Sequence, residues 1–177
     1  MEPVEINAGA YYMRQLRADN RLDDRPALIA AFADPELRRW VNGYRIDDED
    51  DATRYVERRA LEWEQDLRCS WAVAEPTTGE LIGEIGLYHL NLATGSAEAA
   101  CWVVPGWRGR GAAAEALAAA LRFGRGALSL RHVEYRHDER NTASRRVAEK
   151  CGFVRHGFRD GLVVWQLPAE KLLPVTD

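Results

Sequence analysis

Pro105-Gly-Trp-Arg-Gly-Arg-Gly111 joins a strand-like segment to an Ala-rich run that reads as helix, and few junctions restrict a fold as strongly. Glycines there let the backbone approach a ligand with no Cβ in the way. The first N–H groups of the following helix lack intrahelical acceptors, and the macrodipole gives that end positive character. A phosphate or pyrophosphate suits such a place, and Arg108 and Arg110 add mobile charge nearby. An ordinary tight strand-to-helix turn is the other reading of these residues alone. Two specific phosphate motifs fail. A P-loop needs Lys and then Ser or Thr after its last glycine, where this chain has Ala112 and Ala113. The dinucleotide fingerprint is closer, since Glu134 supplies an acidic residue on the next strand. Its glycines run G-x-G-x-x-G, however, and here they run G-x-x-G-x-G, with three hairpin-like strands already behind them.

Around this junction the periodicity switches several times. Residues 11–16 read as a strand, and 21–32 and 35–41 as short helices, with Asp34 an N-cap and Pro35 at the first helical position. Residues 47–64 form a longer helix with an acidic first turn. Strands at 70–74, 81–89 and 96–104 follow, joined by turns at 75–79 and 91–95. Gly109 to Gly111 opens a helix reaching about Arg125. A strand at 131–135 and a helix at 141–150 come next, the latter stopped by Gly152, and strands at 153–157 and 162–167 close a hairpin about Asp160-Gly161. The order predicts an α/β fold with a mixed, twisted, mostly antiparallel sheet flanked by helices. No linker or repeat divides the chain, so one domain spanning 1–177 is expected.

Composition narrows the function classes. At 177 residues, 46% hydrophobic and 29% charged, the chain resembles an ordinary soluble globule. A net charge of -4 gives no attraction to nucleic acid or an anionic membrane, and favours cationic acceptors. Its longest apolar runs, broken by Glu115 and Gln166, fall short of the roughly 20 residues a span needs. The Met1-Glu-Pro-Val-Glu-Ile6 start has no basic or apolar signal region. Cys69, Cys101 and Cys151 are scattered, which fits a reducing cytoplasm. His132 and His137 flank a strand, but no other ligand keeps a metal-site spacing, so no metal is expected.

Arg108-x-x-Gly111-x-Ala113 matches the Q/R-x-x-G-x-G/A signature of the GNAT acetyltransferases. The wider run from Pro105 to Leu117 resembles the P-x-x-R-G-x-G-x-A-x-E-A-L segment of the ribosomal-protein-alanine acetyltransferase branch. Asn141-Thr-Ala-Ser144-Arg-Arg-Val-Ala-Glu-Lys-Cys-Gly-Phe153 is similar to that branch's N-x-x-S-x-x-v-x-E-K-x-G-F run. Asp34-Pro-Glu-Leu37 and Leu81-Ile-Gly-Glu-Ile-Gly-Leu87 resemble its early D-P-x segment and central strand. The resemblance covers almost the whole chain in the same order. It implies an enzyme that moves an acetyl group from acetyl-CoA to a primary amine, of a protein N-terminus or a small molecule, by direct attack in a ternary complex. The pantetheine arm would pair with backbone at Trp102, Val103 and Val104. Its pyrophosphate would meet backbone N–H groups of Arg108, Gly109, Arg110, Gly111, Ala112 and Ala113. Asn141 would contact the cofactor arm with Ser144 one turn on, although without the family Asn141 is simply an N-cap. A catalytically silent CoA-binding domain and a transferase of a larger acyl group, such as succinyl, are the rival readings, and the chain is expected as monomer or homodimer.

Direct attack needs a neutral amine, a small penalty for an α-amine near about 8 and a larger one for lysine at about 10.4. Glu84 and Glu98, on neighbouring strands, are the candidate bases. A backbone N–H of the strand ending at Val104 would polarise the oxyanion. Where many family members carry a Tyr that acts as general acid, this chain has Ala148, which leaves Ser144 as the first choice for the departing thiolate. Trp40 and Tyr44, beside a loop, are the expected substrate-pocket aromatics, with Trp71, Tyr88 and Trp102 more naturally core. Cys101 and Cys151 would need an electropositive setting to be nucleophiles, and neither has an obvious partner in sequence.

Overall fold

Alternating apolar residues make the strands, and the computed structural model, which describes residues 1–169, gathers eight of them into one sheet. β1 (Ile6–Ala8) and β2 (Tyr11–Arg14) precede helices α1 (Arg25–Ala33), α2 (Pro35–Trp40) and α3 (Glu49–Glu64). β3 (Arg68–Ala74), β4 (Leu81–Asn91) and β5 (Ser96–Val103) run antiparallel to one another. A 3-10 turn at Pro105–Trp107 leads to α4 (Ala112–Gly126), and then come β6 (His132–His137), α5 (Thr142–Lys150), β7 (Val154–Arg159) and β8 (Leu162–Gln166). Across the sheet the order is β1-β2-β3-β4-β5-β6-β8-β7, with β5–β6 the one parallel pair. The mixed, mostly antiparallel α/β sheet is as expected. Residues 170–177 of the expected domain, Lys171 among them, lie outside the described residues.

Local chemistry explains most boundaries. Asp34 caps α2 by accepting from the Leu37 N–H at 3.1 Å, and Asp48 caps α3 through the Asp51 N–H at 2.8 Å. Gly152 takes φ of +79° after α5, the left-handed stop that glycine adopts without a Cβ clash. Three features depart from expectation by more than a shift of a residue or two at an element's end. β1 is too short for its periodicity to be read. The first helix starts at Arg25 rather than 21, because Asp24 is taken up by a buried pair with Arg14 and by the Arg17 N–H. The strand-to-helix junction is not direct either; the 3-10 turn intervenes and α4 starts at Ala112.

One irregularity shapes everything that follows. β5 and β6 pair only from Ser96↔His132 to Ala99↔Tyr135. Beyond that point β5 stays with β4 as far as Gly83↔Val103, while β6 stays with β8 as far as His137↔Val163. The sheet therefore splits into a wedge, with one edge of Ala100–Val103 left unpaired. α4 packs over β4 and β5 through buried Ala112, Ala116, Leu117 and Ala120. The short side chains keep that helix close to the sheet and aim its N-terminus at the wedge.

Candidate active site

A first cavity of about 310 Å³ lies between the end of β5, the 105–111 loop and the N-termini of α4 and α5. Gly109, Gly111, Ala112 and Ala113 line it. Gly111 stands before α4 with φ of +92°, a conformation that suits glycine. From Gly109 to Ala114 the backbone N–H groups have no acceptor among the described residues, and the helix's own bonding begins with Glu115 N–H to Gly111 O at 3.0 Å. A row of free donors at a helix N-terminus is a site for an anion.

Four expectations for this region are corrected. Arg108 brings no mobile charge: its guanidinium binds Asp34 and Glu36 of the α2 start, its Nε donates to Val103 O at 3.0 Å, and its own N–H is bonded to Pro105 O. It fastens the loop to α2. Burial acts to raise the Asp34 carboxyl, but the Arg108 and backbone hydrogen bonds outweigh it and leave it below the usual range. Arg110 is not among the lining residues; its guanidinium lies over the Trp107 ring at 4.9 Å. Val104 is also out of the wall, with its N–H bonded to Ile82 O at 2.9 Å. Strand alternation gives the Trp102 backbone to β4 as well, where it pairs with Glu84, and turns the N–H groups of Val103 and Cys101 toward the wedge instead. Arg146 and Lys150, four apart on one face of α5, do line the cavity and have no ion pair among the described residues. Their spacing was readable in the sequence.

A second cavity, about 420 Å³, opens on the other side of the β5 end. The two share Trp40, Val41, Cys101, Trp102, Asn141 and Ser144, so they meet where the strands part. Asn141 is the N-cap expected of it, its Oδ1 accepting from the Ser144 N–H at 3.0 Å, and it lines both cavities. Ser144 Oγ accepts from the Tyr135 hydroxyl at 3.3 Å, and Cys101 Sγ is 3.2 Å from that hydroxyl. With Tyr135 donating to Ser144, the thiol donates to Tyr135, and the Ser144 proton remains to point at the junction. Burial, with Cys101 beside it, pushes Tyr135 well above the usual tyrosine range. Nothing in the sequence tied Tyr135 to Ser144, although its inward parity between buried Val133 and His137 was visible.

Both candidate carboxylates line the second cavity, and both are saturated with donors. Glu84, 2% exposed, accepts from Tyr55 OH at 2.6 Å, Trp102 Nε1 at 3.3 Å and Arg68 Nη2 at 3.2 Å. Arg68 has room because β4 is bare there: a Cβ on Gly86 would lie 2.6 Å from its Nη2. Glu98 takes Arg136 on both oxygens and the Tyr88 hydroxyl. His137 is locked as well, accepting from Trp165 Nε1 at 2.8 Å and donating through Nδ1 to Asp138 O at 2.7 Å. Trp40 and Tyr44 line the cavity as expected, and so do Tyr88 and Trp102. Trp71 does not; it packs edge-to-face on Trp63 and Phe123.

The thiols are as inert as expected. Burial pushes Cys69 and Cys151 to about 12 and Cys101 to about 11. At pH 8 roughly one Cys101 in a thousand is then thiolate. Iodoacetamide at that pH is expected to leave the native protein almost unlabelled, by intact mass, over minutes that suffice for full labelling in denaturant. Rapid single labelling of the native protein would contradict this.

Residues 13–154 match the acetyltransferase (GNAT) domain. The chain belongs to the GNAT acetyltransferases. Solved GNAT-like structures with this fold include Mycobacterium smegmatis RimJ in complex with CoA-disulfide, 24% identical, covering 97% of this chain and 88% of that one at a TM-score of 0.79. A ribosomal-protein-S5-alanine acetyltransferase from Vibrio fischeri is 13% identical over 97% of this chain and 100% of that one, TM-score 0.78. Spermidine N-acetyltransferase from Vibrio cholerae, solved with CoA and spermine, is 18% identical over 93% and 99%, TM-score 0.76. At these identities the likeness is one of fold. No curated protein sequence matches the chain. GNAT acetyltransferases draw on acetyl-CoA and act on amine-bearing substrates. Among the described residues no three His, Cys, Asp or Glu side chains stand close enough to hold a metal ion, and no helix is long and apolar enough to cross a membrane.

Proposed function

We propose that this GNAT protein transfers an acetyl group from acetyl-CoA to a primary amine, of a protein N-terminus or a small molecule, by direct attack in a ternary complex. The observation that carries this is the meeting of two cavities at Cys101, Trp102, Asn141 and Ser144, one rich in anion donors and the other walled by aromatic rings. The first fits the cofactor. Free N–H groups from Gly109 to Ala113 would take its pyrophosphate, Arg146 and Lys150 its remaining phosphate, and the N–H groups that Cys101 and Val103 turn to the open β5 edge its pantetheine arm. When bound, acetyl-CoA supplies a thioester carbonyl carbon as electrophile.

The chain's own groups do the rest. The amine nitrogen enters from the second cavity between Trp40 and Tyr44, and the Val103 N–H, turned into the wedge, polarises the carbonyl oxygen. A carbon–nitrogen bond forms, the carbon–sulfur bond breaks, and Ser144 hydrogen-bonds the departing sulfur. The proton lost from nitrogen ends on that sulfur by way of solvent. Glu84 and Glu98 each accept three hydrogen bonds, one or more from a guanidinium, which favour the charged carboxylate, so we assign them to holding the cavity walls. A single domain working in the cytoplasm completes the reading. The test is a broad amine panel with acetyl-CoA, read as free thiol and by product mass. One acetyl added per thiol released supports the transferase. Binding of acetyl-CoA without thiol release from any amine would favour a silent CoA-binding domain instead.

A further inference from the structure

We infer that the acceptor is a primary amine that itself carries a carboxylate, received by Arg39 at the mouth of the second cavity; this rests on the acetyltransferase reading above. The chain's net negative charge points the other way, toward a polycation, but the cavity does not share that charge. Its three lining carboxylates, Glu84, Glu98 and Asp138, are all spent within the protein. Glu84 is bound to Arg68 and Glu98 to Arg136, while Asp138 takes Arg140 through both Nε and Nη2, at 2.9 and 2.8 Å. At Glu84 or Glu98 a second ammonium on the acceptor would have to displace a largely buried guanidinium and leave it uncompensated, and at Asp138 it would compete with Arg140 for oxygens already taken.

The aromatic walls are committed in the same way. Ring faces attract cations, and an aromatic cage is the other means of holding a polyamine. Here four of the six tryptophan and tyrosine rings already carry an arginine of the chain: Arg39 over Trp40 at 4.5 Å, Arg59 over Tyr44 at 4.8 Å and over Tyr55 at 4.6 Å, and Arg68 over Tyr88 at 5.4 Å; the other two, Trp102 and Tyr135, are buried. The cavity is therefore furnished with cations rather than with sites for them.

Arg39 differs from the other arginines lining this cavity. Arg68 and Arg136 are paired with carboxylates, whereas Arg39 has no hydrogen bond or ion pair from its side chain among the described residues. Asp138 lies across from it, but both of that carboxylate's oxygens go to Arg140. Arg38, its neighbour, is taken by Asp47. The Arg39 guanidinium lies over the Trp40 ring with its N–H groups free, and a free guanidinium fork receives a carboxylate through two parallel hydrogen bonds. Trp40 also lines the junction of the two cavities, so an anion on Arg39 tethers the acceptor close to where its amine must react.

The carboxylate has two sources, an acidic side chain early in a peptide or the carboxylate of a free amino acid. Matched pairs separate them: amidated tripeptides with Glu, Gln or Lys second, and a free amino acid against its carboxamide, with spermidine as the polycation. At saturating acetyl-CoA, the carboxylate member of at least one pair is expected to win by about tenfold in kcat/KM, at the low end for a charged hydrogen bond because Arg39 is exposed. The preference should shrink as salt is raised. In Arg39→Ala the ratio should fall toward one, and in Arg39→Glu the Lys peptide should overtake the Glu peptide. Equal kcat/KM for both members of each pair, a preference that survives Arg39→Ala, or spermidine as the best acceptor would overturn this inference and leave the transferase reading intact. No thiol release from any acceptor, with acetyl-CoA still bound, would remove both.

Discussion

Ala143→Trp is expected to reduce acetyl-CoA affinity at least a hundredfold, as read by calorimetry, while the protein stays folded. Ala143 lies in the first turn of α5, exposed, and lines the first cavity opposite the free N–H groups of α4. An indole there fills much of a space of about 310 Å³. Because the position is exposed, the change should shift stability by no more than about 0.5 kcal/mol. A hundredfold loss corresponds to about 2.8 kcal/mol of binding, well separated from that. Gly111→Val would also cost affinity but is a poorer probe. Its φ of +92° is strained for a β-branched residue, and its Cβ would sit 3.2 Å from Glu115 Oε1. Lost binding there could not be told from a distorted helix start. Wild-type affinity in folded Ala143→Trp would mean that the cofactor lies elsewhere.

What the sequence makes legible, and what it hides, follows from how far each interaction reaches. The Asn141 cap and the Gly152 stop are settled within a few residues, and both are found where the residue types place them. The sheet order follows from the sequence of hairpins and one crossover. The partners of the polar side chains do not. Arg108 reads as a phosphate ligand in its own loop, yet Asp34 and Glu36 are more than 70 residues away and reach it only when α2 folds over β5. Glu84 and Glu98 read as open carboxylates because Tyr55 comes to Glu84 from α3, and Arg68, Tyr88 and Arg136 come to them through register across β3, β4, β5 and β6. The wedge itself is invisible for the same reason: β5 and β6 each continue, and only their pairing stops. Arg146 and Lys150 are a different case, since their helical spacing from Asn141 is plain.

Ser144→Ala is expected to lower kcat by about tenfold to a hundredfold with little change in acetyl-CoA affinity, the pattern of an interaction made mainly as the thiolate departs. The family's usual Tyr is replaced by Ala148, which is fully buried and can donate nothing. Ser144 stands at the cavity junction with its oxygen already accepting from Tyr135, so its own proton is free for the sulfur. Accepting from a neighbour makes that hydroxyl a better donor. Tyr135→Phe should therefore also slow turnover, by less, and should cost about 1 kcal/mol of stability for its lost hydrogen bonds. In the double variant the two effects should fall short of adding, since Tyr135 acts through Ser144. A purely structural serine is easily distinguished. The α5 cap uses the Ser144 backbone N–H, not its hydroxyl, and alanine keeps it. With the cap kept and Cys101 Sγ still beside the Tyr135 hydroxyl, melting temperature should fall only slightly in Ser144→Ala, and a tenfold or larger loss of turnover then reports on the hydroxyl. Full turnover in that variant would leave solvent as the group that meets the thiolate.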